Sequence, residues 1–211
     1  MNGLRHRAPT AGPRRRPRRL PLPGGLALAW ALALAWTVAP GPAMPPARAQ
    51  AAQEHELKAA FLYHFTRFVE WPAEAFPGPD APFRICVVGA GDVAGFLAEL
   101  VAGEQVKGRA LEVRGYGRAR DARGCHILFL GGGEDPRELR DVPEAERGGV
   151  LSVGESPEFL EEGGLLRFRV HRGRIRLQVS DPARERSRLR ISSKLLELCD
   201  LVTPVHQRRG D

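Results

Sequence analysis

Three cysteines are the residues of this chain with the most definite chemistry. Cys86 lies inside an apolar run of strand type, FRICVVG, and Cys125 directly precedes a second such run, HILFL. If these strands are neighbours in a parallel sheet, about 4.8 Å apart, their Cα atoms fall within the range that a disulfide bridges. A bridge is the default outcome in an oxidising compartment, and two buried free thiols are the alternative. Cys199 stands among leucines, which predicts a buried apolar residue rather than a reactive thiol.

A glycine-rich turn follows the first of these strands. Residues 89–94 (GAGDVA) fit the G-x-G-x-x-A pattern, and Glu112 follows about 20 residues later, as in the dinucleotide-binding fingerprint. The favoured interpretation is a tight strand-to-helix turn that needs glycine, because nothing downstream has the pattern of a hydride-transfer site. A dinucleotide-dependent enzyme that uses Gly89 and Gly91 is the less favoured alternative.

Other catalytic patterns are weak. The histidines of the predicted mature chain are scattered, with no two at the i, i+4 spacing of a helical metal site. Ser152 lacks the glycine two residues before it that a nucleophile elbow requires. No pair of carboxylates stands in an apolar setting suited to acid–base work. The sequence therefore predicts a protein that is not an enzyme and uses neither cofactor nor metal.

The basic charge of the chain is confined to its beginning. The 211 residues carry a formal net charge of +7, but residues 1–49 contain eight arginines and no acid. That segment has an arginine-rich start, a 13-residue apolar run and a small-x-small site at Ala47-Arg48-Ala49, the pattern of a secretory signal. The run is shorter than the ~20 residues of a spanning helix. We predict cleavage after Ala49 and a single periplasmic domain of residues 50–211, whose net charge of −1 gives no reason to expect a nucleic-acid partner.

Strands and helices alternate along this domain. Six segments have strand patterns: 83–89, 110–115, 126–130, 150–153, 165–170 and 174–179. Helices are predicted over 54–70, over 92–102 and, as a long final helix, over 181–202. Helix starts are predicted where a capping residue precedes a proline: Asp135-Pro136, Ser156-Pro157 and, at the start of the final helix, Asp181-Pro182. The order favours an α/β fold with a mainly parallel sheet flanked by helices, a Rossmann-like sandwich, and a C-terminal antiparallel hairpin that supplies the edge strands.

Two sets of side chains are candidates for a partner or ligand surface. On the first helix, Tyr63, Arg67 and Trp71 lie away from the face of the core phenylalanines. On the hairpin, four arginines alternate along both strands and so line one face: Arg167, Arg169, Arg174 and Arg176. Their forked donors suit phosphate or carboxylate groups. The alternatives are core packing for the aromatic residues and, for the arginines, a solvated face that pairs with the acidic stretch 134–162.

Several motifs, in order along the predicted mature chain, resemble the YfiR/HmsC-like family of periplasmic regulators. They are residues 58–65 (KAAFLYHF) with 68–72 (FVEWP), 83–89 (FRICVVG), 124–129 (GCHILF), 150–154 (VLSVG), Phe159 with Gly163-Gly164, and 191–196 (ISSKLL). The first pair is the most specific. Together they span nearly all of the predicted domain.

The resemblance implies a single periplasmic domain that does no chemistry. Such proteins bind the periplasmic sensor part of an inner-membrane diguanylate cyclase and repress it, which lowers cyclic di-GMP and biofilm formation. Membrane contact is then expected only through that partner. Cys86 and Cys125 match the family's disulfide positions, whereas the second cysteine pair of some members is missing here. The resemblance further implies a homodimer and, as an alternative function, a sensor of small phosphate or aromatic ligands, with Arg190 as the candidate anion contact.

Overall fold

The computed structural model describes residues 47–143, 147–171 and 174–204. The predicted signal segment lies outside these ranges except for residues 47–49, so its cleavage remains a prediction. Within these ranges no helix is both long enough and apolar enough to cross a membrane.

Helices and strands alternate along the described chain, as the sequence predicts. In these residues the helices are α1 (Ala47–Phe68), α2 (Gly91–Leu100), α3 (Asp181–Arg186) and α4 (Ser193–Leu196). The strands are β1 (Val69–Glu70), β2 (Phe83–Val88), β3 (Gln105–Val106), β4 (Arg109–Tyr116), β5 (Ile127–Leu130), β6 (Leu151–Gly154), β7 (Leu166–His171), β8 (Arg174–Ser180), β9 (Arg190–Ile191) and β10 (Cys199–Val202). Short 3-10 turns cover Ala73–Ala75, Ala119–Asp121, Pro136–Asp141 and Pro157–Phe159.

Eight strands form one mainly parallel sheet, which confirms the predicted fold class. Their order is β10-β8-β7-β6-β5-β2-β4-β3, and the strands from β4 to β7 run parallel to one another. β8 is antiparallel to β7, so the predicted hairpin is present. β1 and β9 pair separately as a small antiparallel ribbon. β2 lies between β4 and β5, and this puts the two cysteine-bearing segments side by side.

Each face of the sheet carries its own apolar core. Because side chains alternate along a strand, Ile85 and Val87 of β2 point to one face and Cys86 and Val88 to the other. The first face, here the helix side, is covered by α1 and α2, and contains Phe65 and other fully buried aromatic rings. The second face, here the turn side, is covered by 3-10 turns and loops.

The first helix is longer than predicted. It begins at Ala47 rather than at residue 54, because the intervening residues are mostly alanine and glutamine, which favour helix. The proline-capped segments form shorter helices than expected. Those at Pro136 and Pro157 are 3-10 turns, and at the third site Ser180 rather than Asp181 is the capping residue, accepting a hydrogen bond from the backbone nitrogen of Ala183 (3.3 Å).

The predicted long final helix is wrong. Residues 181–202 instead form α3, β9, α4 and β10 in succession. Ser187 has an extended backbone that ends α3, and the side chain of Ser192 caps α4 by accepting from Leu195. Ile191 of β9 then pairs with β1, and β10 pairs with β8. Pairing with distant strands overrides the local helical spacing of the leucines.

The position of the hairpin also differs from the prediction. β8 is not an edge strand, because β10 lies outside it and runs parallel to it. The edges of the large sheet are therefore β10 and β3.

Candidate functional site

The predicted disulfide is present. Cys86 of β2 and Cys125, two residues before β5, are bonded, with their Cα atoms 5.9 Å apart. Both residues are buried on the turn side. The alternative of two free buried thiols is thereby ruled out for this structure.

His126, the residue after Cys125, anchors the loop of residues 72–82 to the sheet. The backbone N–H of Arg84 donates to its Nδ1 (2.9 Å), so the proton of the neutral ring is on Nε2, which donates to the carbonyl of Ala75 (3.2 Å). The imidazole lies between the rings of Phe76 and Phe83, at 4.3 and 4.7 Å. Burial is the main cause that lowers the pKa of His126 to about 4. The ring is therefore neutral at ordinary pH.

Trp71 belongs to the same cluster. Its Nε1 donates to the carbonyl of His126 (3.0 Å), and its ring packs edge-on against Phe83 at 4.7 Å. The half-buried indole has its only donor satisfied internally. We call the six residues of this region the disulfide anchor: Trp71, Phe76, Phe83, Cys86, Cys125 and His126.

Arg109 closes the loop from outside. Its guanidinium lies 4.0 Å from the centre of the Phe76 ring and donates to the carbonyls of Gly78 (2.9 Å) and Ala81 (2.7 Å). The sequence alone does not mark Arg109 or His126 as a positioning residue. The one available signal was a histidine placed at the start of a buried apolar run.

Tyr63 and Arg67 lie apart from Trp71 in a separate network. The buried Tyr63 hydroxyl donates to Glu104 (2.8 Å) and accepts from Arg67 (2.7 Å), whose guanidinium also lies over the tyrosine ring at 5.0 Å. The hydrogen bond to Glu104 is the main cause that raises the pKa of Tyr63. Of the three residues predicted as a surface, only Arg67 is exposed.

The hairpin arginines share the turn side, as predicted, but they differ in environment. Arg167 is turned inward and donates to the carbonyl of Glu155 (3.1 Å) and to Gln178 (3.1 Å). Burial and, next, the charge of Arg169 lower the pKa of Arg167. Arg190 is on β9, opposite Glu70 of β1, and so lies in the small ribbon rather than on the predicted final helix.

The other three hairpin arginines surround an open groove of about 510 Å³. We call this the arginine groove, and its lining residues are Arg169, His171, Arg174, Arg176 and Asp200. Arg169 of β7 lies directly opposite Arg176 of β8, a like-charged pair that destabilises a sheet. In the part of the chain that the structure describes, no ion pair is formed by the groove arginines.

The acidic and basic stretches do not neutralise each other through ion pairs between described residues. Within the acidic stretch, Glu162 contacts Arg140 and lies 3.9 Å from Arg137. Within the basic stretch, Asp181 pairs with Arg184 at 2.6 Å. The positive potential of the groove is therefore left for the solvent or a partner.

The glycine-rich turn lies at the carboxyl ends of β2, β5 and β6, the crevice where open α/β sheets bind ligands. Gly89 has a φ of +67°, and a Cβ atom there would lie 2.0 Å from Glu134 Oε1, so the turn requires glycine. Glu155 accepts from the backbone nitrogen of Gly132 (2.5 Å), and Asp92 lies in the first turn of α2. The carboxylates of Glu134, Glu155 and Asp92 border the position that a bound pyrophosphate would take, and their negative charge would repel it.

The rest of the crevice also fails to fit a dinucleotide. Lys58, only 5% exposed, contacts Glu54 (2.5 Å) and Glu155. Burial opposes its charge, but these two carboxylates outweigh burial and raise the pKa of Lys58. Glu112, the predicted ribose-binding acid, accepts from Arg84 (3.2 Å) and Arg114 (3.1 Å), which lowers its pKa. The turn is best explained as a structural glycine turn.

Cys199 has no sign of activation. Its half-buried thiol donates to the carbonyl of Leu195 (3.1 Å), and burial raises its pKa to about 11. Among the described residues no cluster of three or more potential metal ligands is present.

A family model described as YfiR/HmsC-like matches residues 55–200, which include nearly every element of the large sheet. The chain belongs to the YfiR/HmsC-like family. Members of this family are periplasmic regulators of diguanylate cyclases that act with a partner protein. A search of the curated proteins finds no match.

Proposed function

We propose that this YfiR/HmsC-like protein binds the periplasmic sensor part of an inner-membrane diguanylate cyclase and represses it. Its effect is to lower cyclic di-GMP and hence biofilm formation. The observation that carries the proposal is the family match over residues 55–200, which covers the disulfide, both apolar cores and the arginine groove.

The physical character of the domain supports a role in protein contact. The glycine crevice, the usual place for a ligand in such a sheet, is bordered by carboxylates and lined by the Lys58–Glu155 pair. The exposed groove has three arginines that form no ion pair in the described residues, and one acid, Asp200, also lines it. Charged surfaces of this kind give specificity and speed to association.

The test is a deletion of the gene followed by complementation. We expect cyclic di-GMP, measured by mass spectrometry of cell extracts, to rise in the deletion strain and to return to its original level with the full chain. A chain that lacks residues 1–49 serves as the control and should not restore it, because it stays in the cytoplasm. Unchanged cyclic di-GMP on deletion would rule out the repressor role.

A small-ligand sensor is the second candidate, and one cavity favours it. A cavity of about 400 Å³ is lined by apolar residues that include Leu128, Leu139 and Val150 and by two arginines, Arg147 and Arg186. The Nε atom of Arg147 is buried and has no hydrogen-bond partner among the described residues. An anionic ligand with an apolar body would suit these features.

Thermal shift assays with inorganic phosphate and with benzoate test this candidate. A rise in melting temperature with ligand that is lost in Arg147→Gln but kept in Arg190→Ala would place the ligand in the cavity. Stabilisation lost only in Arg190→Ala would place the anion on β9. No shift with either compound counts against a sensor of this class.

A further inference from the structure

The two edges of the large sheet are protected to different degrees. The edge strand β3 has two residues and pairs only with Arg109 and Ala110, so most of β4 also lacks an outer strand partner among the described residues. That edge is nevertheless protected by the charged residues of β4, which are Arg109, Glu112 and Arg114. β10 has four residues, CDLV, with neither lysine nor proline, and its one charged residue, Asp200, lies in the arginine groove on the turn side. Leu198 and Leu201 at this edge are 69% and 59% exposed, the two highest values among the large apolar side chains of the described residues.

The arginine groove lies directly beside this edge. Asp200 of β10 is in register with Gln178 of β8. When the same parallel register is continued by one residue before β10, Leu198 lies beside Arg176. Arg176 is thus one strand in from the edge, and Arg169 two strands in. Neighbouring strands are about 4.8 Å apart, so a strand added to β10 would carry its turn-side residues within reach of the long Arg176 side chain.

The two terminal segments of the chain that lie outside the described ranges have the wrong charge to pair with the outer edge of β10. Residues 1–46 contain seven arginines and no acid, and residues 205–211 contain two arginines and one aspartate. Both segments would be repelled by three arginines that already face each other across the groove. The occupant that fits is acidic and comes from another protein.

We propose that the outer edge of β10, with the arginine groove, binds an extended acidic segment of another protein by strand addition. Backbone groups of the segment pair with those of β10, its apolar side chains cover Leu201 on the helix side, and its carboxylates lie toward Arg176 on the turn side, with Arg169 one strand farther in. Alternation of apolar and acidic residues is the pattern that this geometry selects. The inference goes beyond the proposed function, since it states how a partner is held whichever protein the partner is.

The direct test uses a short acetylated and amidated peptide of alternating valine and glutamate, titrated by calorimetry into the purified chain of residues 50–211. We expect binding that weakens with salt, and new hydrogen-exchange protection of the amides of β10. A peptide of alternating valine and lysine, and a valine–glutamate peptide N-methylated on its pairing side, should not bind. Equal binding of the glutamate and lysine peptides, or no binding of either, would overturn the proposal.

Variants locate the contact. The double variant Arg169→Gln, Arg176→Gln should bind the peptide about ten-fold more weakly, since two exposed charge pairs contribute up to about 1 kcal/mol each. Leu201→Lys, which adds a charge to the edge, should abolish binding. The matched controls are Arg120→Gln, in the turn of residues 119–121, and Leu100→Lys, at the end of α2; both residues are exposed and outside the hairpin and β10, and both variants should bind normally.

Two further measurements distinguish other occupants. If light scattering shows a dimer that Leu201→Lys converts to a monomer, the edge belongs to a second copy of this chain and the proposal is wrong. If phosphatidylglycerol vesicles bind the protein through the same residues and the acidic peptide does not, the surface is for lipid and the proposal is likewise wrong. Both outcomes are independent of whether deletion of the gene changes cyclic di-GMP.

Discussion

The disulfide anchor and the arginine groove use polar groups in opposite ways. In the anchor, His126 and Trp71 are packed among rings, and each of their polar hydrogens has an acceptor within the chain. In the groove, Arg169 and Arg176 face each other across two strands and stay in solvent. A buried and satisfied cluster stabilises the fold, whereas an exposed set of like charges adds nothing to folding and is available for recognition. Substitutions in the two regions should therefore have different consequences.

The largest effect is expected from loss of the disulfide. The bond closes a loop with a sequence separation of 39, for which the chain-entropy model gives about 4 kcal/mol. The double variant Cys86→Ser, Cys125→Ser should lose stability of this order in urea unfolding. Cys199→Ser is the control and should unfold nearly as the parent does, because Cys199 forms no bridge.

Reduction of the parent chain gives a second measurement, which does not require the less stable double variant to be purified. The melting temperature should fall when a phosphine reductant is added and recover on reoxidation. A reduced protein as stable as the oxidised one would show that the anchor does not depend on its covalent bond.

The next-largest loss of stability is expected on substitution of Lys58, a buried cation that contrasts with the exposed cations of the groove. Lys58→Met leaves the carboxylates of Glu54 and Glu155 without their common partner, and breaking a buried pair in this way costs about 3 kcal/mol. The exposed Lys194→Met should change the free energy of unfolding by less than about 0.5 kcal/mol. Adding Glu155→Gln to Lys58→Met should recover part of the loss, and no recovery would mean that the lysine acts mainly by packing.

Acid should destabilise the anchor through His126. The folded state holds the pKa of this histidine at about 4, below its ordinary value of 6.5, so the unfolded chain takes up the proton first as the pH falls. The contribution is fully present above pH 6.5 and is lost between about 6.5 and 4, by about 3 kcal/mol in all. Protonation would turn Nδ1 into a donor facing the N–H of Arg84.

Unfolding in urea at several pH values measures this loss. The variant His126→Asn keeps a small polar side chain but cannot titrate, so its stability should depend less on pH in this window. An equal pH dependence in the variant and the parent would assign the acid sensitivity to other groups.

The anchor and the groove also differ in how far their sequences predict them. Cys86 and Cys125 follow from two apolar runs that become adjacent strands, and the alternating arginines follow from the two-residue period of a strand. The loop contacts of His126 and Arg109 do not follow, because their partners lie 51 and 31 residues away and are carbonyl groups without side-chain identity. Local patterns define which face a residue takes, and long-range packing decides what it meets there.

The end of the chain shows the same limit. The leucines from 195 to 201 have helical spacing, yet residues 199–202 form the edge strand β10, because β8 offers an open edge to pair with. Arg167 likewise keeps the alternation of its neighbours but is drawn inward by the carbonyl of Glu155 and by Gln178. Of four hairpin arginines that look equivalent in the sequence, only three line the groove.

The smallest change in the free energy of unfolding is expected from substitutions in the arginine groove. These substitutions are also the sharpest test of the contrast between the groove and the disulfide anchor. Replacement of either Arg169 or Arg176 by Gln removes a like-charge repulsion between directly opposed strand residues, so each single variant should be slightly more stable, by about 0.5 kcal/mol at low salt. The double variant should gain little beyond one single variant, because the first substitution has already removed the repulsion. The gain should shrink at high salt, where exposed charges are screened. Urea unfolding of the parent, both single variants and the double variant measures this cycle. A loss of 1 kcal/mol or more in a single variant would make the arginines part of the fold, as His126 is, and the contrast between the two regions would fail.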